Sequence, residues 1–157
     1  MISQLYGNIV SVQNSYLILN VNNVGYKIFC PSRTLSTFKQ NMENVLILTE
    51  LVVREDSLTL YGFSDELERV WFNLLQSVQG IGAKASLAIL SSMTNEELSK
   101  AILSSDKAMI SRAEGVGPKI AGRILNELKD KIPETSGLSI LSDDLDSIEN
   151  ENPDLIN

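Results

Sequence analysis

The chain has 157 residues, of which 43% are hydrophobic, with a formal net charge of −7, a single cysteine and no histidine. This composition excludes a disulfide framework, a Cys/His zinc site and imidazole chemistry, and it predicts no catalytic residue, no metal site and no cofactor. Because the sequence lacks an 18-residue apolar run and a basic start followed by an apolar signal stretch, we expect a globular, cytoplasmic protein with no membrane partner.

Short runs of β-branched, leucine and aromatic residues dominate residues 1–63. They predict five strands, with tight-turn residues at Asn14-Ser15 and Asn22-Asn23 and a short helix opening at Pro31. Five closely spaced strands with one helical insertion favour a small closed barrel of the OB type, although an open sheet and an SH3-like barrel fit the same pattern. The predicted strands span residues 2–12, 16–21, 25–30, 45–54 and 58–63.

From Ser64 onward the apolar period becomes helical. Ser64 is predicted as the N-cap of a first helix that runs to about Gln79. Thr94 and Glu97 match a capping box at the start of the third helix. We expect an all-helical domain of about five short helices over residues 64–132, which gives an α+β chain of two domains followed by an acidic tail.

Two segments of this helical domain repeat each other at an offset of 35 residues, because residues 80–90 and 115–125 share five identities. In each, a Gly-aliphatic-Gly turn joins two helices, and a lysine follows near the start of the second. Glycine permits positive φ and close approach of a ligand, while the helix start presents unpaired N–H groups to a phosphate. This pattern predicts two helix-hairpin-helix motifs that bind DNA backbone without reading sequence. The candidate DNA-binding residues are Gly80, Ile81, Gly82, Ala83, Lys84, Gly115, Val116, Gly117, Pro118, Lys119 and Arg123.

The glycine turns fit two nucleotide-binding motifs poorly. The first turn resembles a dinucleotide fingerprint, but it follows a predicted helix where that fingerprint needs a strand, and neither turn has the Gly-Lys-Ser/Thr of an ATPase loop. We therefore expect no ATP hydrolysis by this chain. The remaining alternative is that each Gly-x-Gly is only a tight turn between helices.

The negative charge lies in the last 25 residues. Residues 1–63 carry four basic and four acidic side chains, and residues 64–132 carry nine of each, so all seven excess negatives belong to residues 133–157. We expect this tail to be disordered, because it has too few apolar residues to offset chain entropy. The alternative is a short amphipathic helix that packs against a partner through apolar positions between residues 138 and 148.

Several strings, taken in order, resemble the RuvA family, the Holliday-junction recognition subunits of the bacterial branch-migration machine. They are Met-Ile-x-x-Leu-x-Gly at residues 1–7, Val-Gly-Tyr at 24–26, Val-Val-Arg-Glu-Asp at 52–56, Leu-Tyr-Gly-Phe at 60–63 and the paired hairpins. The resemblance covers residues 1 to about 132. It implies a homotetramer, or two tetramers around DNA, that holds a four-way junction with one duplex arm on each subunit's hairpin pair. It also implies a hexameric RuvB-type ATPase and a RuvC-type resolvase as partners.

The resemblance assigns residues 1–63 to tetramer formation and to the junction centre. By position, Glu55 and Asp56 match the family's acidic pin at the strand crossover, whereas the residues alone indicate only an exposed acidic turn. Arg54 either lies near DNA or pairs with one of these carboxylates.

The chain departs from the family at its C-terminus, where only 25 residues, seven of them acidic, stand in place of a linker and a small ATPase-docking domain. We expect that domain to be shortened or absent. Either the chain is truncated, or the apolar positions of residues 138–148 recruit the ATPase, or that recruitment is lost. Two alternative functions stay open: a generic binder of single-stranded or damaged DNA, and a protein-interaction adaptor that acts through its acidic tail.

Overall fold

The N-terminal part of the chain is a closed five-stranded barrel. The computed structural model describes residues 1–133. Within the barrel the hydrogen-bonded strand order is β1-β2-β3-β5-β4, β4 closes on β1, and β3 with β5 is the parallel pair. This arrangement confirms the predicted OB-type barrel over the open sheet and the SH3-like barrel. Its elements are β1 (Gln4–Val12), β2 (Tyr16–Val21), β3 (Val24–Phe29), α1 (Ser32–Thr37), β4 (Val45–Val53) and β5 (Leu58–Phe63).

Strand alternation places one apolar face of each strand inside the barrel. Leu17 and Leu19 of β2, Ile28 of β3 and Ile47 of β4 are completely buried there. Gly62 of β5 faces the same interior, where an added Cβ would lie 2.5 Å from the Ile28 Cγ2 atom and 2.7 Å from that of Ile47. The barrel can close this tightly because β5 has no side chain at that point.

The tight turn between β2 and β3 forms where the sequence predicted it. Asn22 and Asn23 adopt φ angles of 49° and 70°, which asparagine tolerates better than most residues. The Asn20 Oδ1 atom accepts a hydrogen bond from the Asn23 backbone N–H at 2.9 Å. This turn fixes the β2–β3 register, in which Tyr16 lies opposite Phe29.

Within residues 1–133, five helices follow the barrel and share one apolar core, as the sequence predicted. Trp71, Phe72, Leu75, Ile89 and Ile124 are completely buried in that core. None of the helices in residues 1–133 is both long and apolar enough to cross a membrane. The helices are α2 (Glu66–Ser77), α3 (Ala83–Ser92), α4 (Asn95–Leu103), α5 (Lys107–Ile110) and α6 (Pro118–Leu128).

The helix ends confirm one sequence prediction and correct another. The predicted capping box is present, because the Thr94 Oγ1 atom accepts from the Glu97 N–H at 3.0 Å and the Thr94 N–H donates to Glu97 Oε1. The prediction that Ser64 caps α2 is wrong. Asp65 is the N-cap, with its carboxylate accepting from the Glu68 N–H at 2.8 Å, while the Ser64 hydroxyl donates to the Glu68 carboxylate. A carboxylate is the stronger acceptor at a positive helix end.

Polar contacts join the barrel to the helical part. From α1, the Arg33 guanidinium donates to the Met93 carbonyl oxygen at 3.0 Å, and the Ser32 N–H donates to Ser91 Oγ at 2.9 Å. The Thr34 hydroxyl donates to the Glu68 carboxylate, and burial raises the pKa of that carboxyl above its ordinary value. The barrel therefore holds the C-terminal end of α3 directly.

Candidate nucleic-acid interface

The first hairpin joins α2 to α3 through a short glycine turn. Gly80 adopts a φ of +92°, in the left-handed region that favours glycine. The Ile81 N–H donates to the Val78 carbonyl oxygen at 3.1 Å, and the Ile81 side chain is buried in the helical core. Gly82 then serves as the N-cap of α3 in extended conformation, with φ −97°. The aliphatic residue anchors the turn in the core and leaves the backbone of Gly80 exposed and that of Gly82 partly exposed.

The second hairpin repeats this backbone at the same offset of 35 residues. Gly115 has a φ of +79°, the Val116 N–H donates to the Ala113 carbonyl oxygen at 3.1 Å, and Val116 is buried. Gly117 is the N-cap of α6, again extended, with φ −84°. The two turns that repeat each other in the sequence therefore also share the same backbone hydrogen bond. Only the first glycine of each pair needs positive φ; the second leaves the turn without a Cβ.

The helices that follow the two glycine turns differ from the other helices of this core at their N-termini. Asp65, Thr94 and Asp106 cap α2, α4 and α5 with side-chain oxygens. At α3 and α6 the N-cap is glycine and no side chain caps the helix. The N–H groups of these two helix starts have no capping side chain and lie at the positive end of the helix dipole, which suits an anion. Pro118, at the first helical position of α6, removes one of these donors.

Cationic side chains surround the first turn from three elements. Lys84 is exposed at the start of α3. Arg123 of α6 donates from its NH1 atom to the Gln79 carbonyl oxygen at 3.2 Å and lies 3.3 Å from the position of a Cβ on Gly80. The Arg54 guanidinium, at the end of the barrel hairpin, lies 3.8 Å from the corresponding position on Gly82. Arg123 follows Lys119 by four residues, which places both on one face of α6, but this spacing does not indicate that Arg123 reaches the other hairpin.

The second turn is more open. Among residues 1–133, no atom outside the glycines and their chain neighbours lies within 4 Å of a Cβ built on Gly115 or Gly117. Lys119 is exposed at the start of α6. A shallow cavity of about 540 Å³ lies beside it, lined by Lys107, Ala108, Ser111, Arg112 and Pro118. Lys107 and Arg112 thus lie near Pro118, the residue that follows the second turn.

The β4–β5 hairpin carries the two carboxylates of the proposed pin. Glu55 and Asp56 are exposed at its tip, which is closed by a hydrogen bond from the Arg54 N–H to the Ser57 carbonyl oxygen at 2.9 Å. Within residues 1–133 the Arg54 guanidinium forms no salt bridge with either carboxylate, so that alternative is not realised. Arg54 is directed toward the first glycine turn instead.

Comparison with known proteins covers both parts of the described chain. The family model described as "RuvA N terminal domain" matches residues 1–62, and the one described as "SAM-like Helix-hairpin-helix tandem" matches residues 72–130.

The similar proteins include relatives named "Holliday junction branch migration complex subunit RuvA". The protein from Agrobacterium fabrum is 48% identical over 137 residues, which cover 87% of this chain and 67% of the relative. The protein from Rhodopseudomonas palustris is 50% identical over 133 residues, covering 85% and 65%. The protein from Rhizobium meliloti is 50% identical over 137 residues, covering 87% and 67%. The chain spans about two thirds of the length of these relatives.

Proposed function

The chain belongs to the RuvA family, and from that premise we propose that it is a non-catalytic scaffold that binds four-way DNA junctions. In this role it supports ATPase-driven branch migration in recombination and DNA repair. The observation that carries the proposal is the pair of hairpin helices, α3 and α6, which start at glycine without a capping side chain. The fold thus places two helix N-termini that can bind an anion within one small core.

In the proposed interface each glycine turn holds a phosphate of one duplex arm. Backbone N–H groups of residues 82–84, 117 and 119 face the phosphate oxygens, while Lys84, Lys119 and Arg123 add positive charge. Ile81 and Val116 support the turns from beneath because both are buried in the core. Such contacts position DNA by its backbone and carry no base specificity.

The overall charge of −7 does not oppose this function. Residues 1–63 and 64–132 are each formally neutral, and the excess negatives lie in residues 133–157, outside the described part of the chain. DNA thus approaches a surface whose cations gather at two turns. The predictions of a disordered tail and of a short tail helix concern residues outside those that the structure describes.

The acidic pin is proposed to act at the junction centre. Glu55 and Asp56 stand exposed at one end of the barrel, on the same hairpin as Arg54. In water, two like charges about 4 Å apart repel by roughly 1 kcal/mol. Carboxylates from four subunits would disfavour continuous duplex at the centre and favour separated strands.

The assembly follows from the geometry of the ligand. A four-way junction has four similar arms, which a homotetramer with residues 1–63 at its centre and residues 64–132 toward the arms would match one to one. Two tetramers that enclose the DNA are a further possible assembly. The motor is then a separate hexameric RuvB-type ATPase, and a RuvC-type resolvase would reach the junction from an uncovered face.

Competition in gel-shift experiments tests the proposal. Labelled four-way junction bound to the full chain is challenged with unlabelled junction or with linear duplex of equal length. We expect the junction to compete much more effectively, and equal competition by linear duplex would refute junction specificity. Sizing the protein with and without junction tests the tetramer in the same samples.

A further inference from the structure

A row of aromatic rings runs along the outside of the barrel. Tyr16 of β2 and Phe29 of β3 are cross-strand neighbours whose ring centroids lie 5.7 Å apart. Phe29 in turn lies 6.2 Å from the ring of Tyr61 on β5. All three side chains are partly exposed. The row ends in the helical core, where Tyr61 packs against Phe72 at 5.1 Å.

A single cation covers the outer end of this row. The Lys27 Nζ atom lies 4.3 Å from the centroid of the Tyr16 ring and 5.2 Å from that of Phe29. Lys27 is an exposed residue of β3, and its flexible side chain holds the ammonium over both rings. A cation–π contact at an exposed site is weak, so the ammonium can move to a phosphate while another π system takes its place on the ring.

The aromatic row leads toward the first hairpin. The Arg54 guanidinium is close enough to Tyr61 to affect the pKa of its phenol, although burial outweighs it and raises that pKa. The same guanidinium lies 3.8 Å from the Cβ position of Gly82, in the first glycine turn. Rings and cations thus form one path from Lys27 to the start of α3. The carboxylate beside this path, Glu50, lies opposite Tyr61 and accepts a hydrogen bond from the Asn73 amide at 2.9 Å.

We propose that this aromatic row, Tyr16, Phe29 and Tyr61 with Lys27 at its outer end, binds an unpaired DNA strand by stacking its bases. Every base has a π face, so aromatic rings bind single strands with little sequence preference, and nearby cations follow the phosphates. A paired duplex hides its base faces and has nothing to stack on these rings. The surface lies on strands β2 and β3, the face on which barrels of this type commonly bind oligonucleotides.

The site is separate from the hairpins and extends the proposed function. The glycine turns hold the backbone of paired arms, whereas the aromatic row would take bases that have left the duplex. Only the direction of the path, toward Gly82 through Arg54, rests on the proposed hairpin interface. Glu55 and Asp56 follow Arg54 at the tip of its hairpin. Their carboxylates would repel the phosphates of the strand and so end the path there.

The test compares two single-stranded probes of equal length and charge with the full chain. One is a labelled 15-nucleotide oligothymidine, and the other is an abasic deoxyribose-phosphate strand of 15 units. Phosphate contacts treat both probes alike, so the ratio of their dissociation constants reports stacking. We expect the wild-type protein to bind oligothymidine about tenfold more tightly, the effect of roughly one stacked base.

Variants locate the effect. The double substitution Tyr16→Leu/Phe29→Leu should bring the ratio close to one while four-way junction binding and the thermal melt stay near wild type. Lys27→Gln should weaken binding of both probes by a similar factor. Tyr6→Leu, which removes an exposed tyrosine from β1, is the matched control and should change nothing. If the double variant is poorly folded, the single Tyr16→Leu change tests the same point at the outer end of the row.

Two results would overturn the site: equal binding of both probes by the wild-type protein, or an unchanged ratio in a folded Tyr16→Leu/Phe29→Leu variant. Loss of junction preference together with an intact probe ratio would instead refute the proposed junction function and leave the aromatic site standing.

Discussion

The substitution Gly117→Asp should strengthen the fold and abolish binding at the second hairpin. Gly117 is the N-cap of α6, with φ −84° and ψ 176°, a conformation that aspartate adopts without strain. In the described part of the chain, no atom beyond its chain neighbours lies within 4 Å of a Cβ at this position. The new carboxylate would cap the same N–H groups that are proposed to hold the phosphate.

The expected gain in stability is small and positive. Aspartate exceeds glycine as an N-cap by a few tenths of a kcal/mol, and a negative charge at a helix N-terminus adds about 0.3–1 kcal/mol. Since Gly117 already lies in the extended region, no backbone strain offsets these terms. We expect the free energy of unfolding to rise by roughly 0.5–1 kcal/mol.

The expected loss of binding is larger. A carboxylate about 4 Å from a phosphate repels it by roughly 1 kcal/mol in water and about 4 kcal/mol at the effective dielectric constant of a protein surface. One decade of affinity corresponds to about 1.4 kcal/mol, so the dissociation constant should rise by about fivefold to a thousandfold. Stability and affinity thus change in opposite directions, which general damage to the fold would not produce.

The assay pairs urea unfolding with fluorescence anisotropy on a labelled four-way junction. Thr94→Asp is the matched control because it places the same charge at the N-cap of α4, a helix outside the hairpins. This control should keep wild-type affinity. A folded Gly117→Asp protein that binds the junction as tightly as Thr94→Asp does would refute the assignment of the second turn to a phosphate.

Three further predictions address the pin, a buried carboxyl and the tail. The double substitution Glu55→Gln/Asp56→Asn should tighten binding to linear duplex and lower the preference for junction in competition gel shifts; loss of all binding would contradict the pin. The pKa of Glu68 is raised by burial, so the native state binds more protons than the unfolded chain and stability should fall as pH rises above the ordinary carboxyl pKa. The stability of Glu68→Gln relative to wild type, measured by the urea midpoints, should therefore increase as the pH rises from about 4.5 to 7 and should not increase below that range. A difference that stays constant with pH would refute this. Deletion of residues 133–157 removes seven negative charges and should leave junction affinity unchanged or higher at low salt, whereas weaker binding would show that the tail contributes to the interface.

The sequence predicted most of the fold because its local signals agree with the tertiary structure. The apolar alternation of the strands, the asparagine turn and the capping box at Thr94 and Glu97 all act over a few residues, and each is present. The prediction at Ser64 failed because Ser64 and Asp65 are both good capping residues. The choice between them depends on which one reaches the Glu68 N–H, a matter of chain geometry beyond local pattern.

The surroundings of the glycine turns were only partly predictable. The repeat at an offset of 35 residues identifies both turns and their buried aliphatic anchors, since these are short-range features. Arg54 and Arg123 meet at the first turn from chain positions that are 69 residues apart, as the sequence numbers show. No spacing rule predicts such a meeting, because it depends on how the barrel packs on the helices.

The two ends of α3 have a mechanical consequence. At its C-terminal end Arg33 of the barrel holds the Met93 carbonyl, and at its N-terminal end Arg54 of the barrel lies beside Gly82. The second hairpin helix, α6, packs on α4 and α5. A force on DNA bound at the first turn would therefore be transmitted through α3 directly to the barrel. The same force at the second turn would act on α6, which packs on other helices, and would be transmitted less rigidly. Hydrogen exchange on the free protein should accordingly be slower at the hydrogen-bonded amides of α3 than at those of α6, and the reverse order would refute this difference in stiffness.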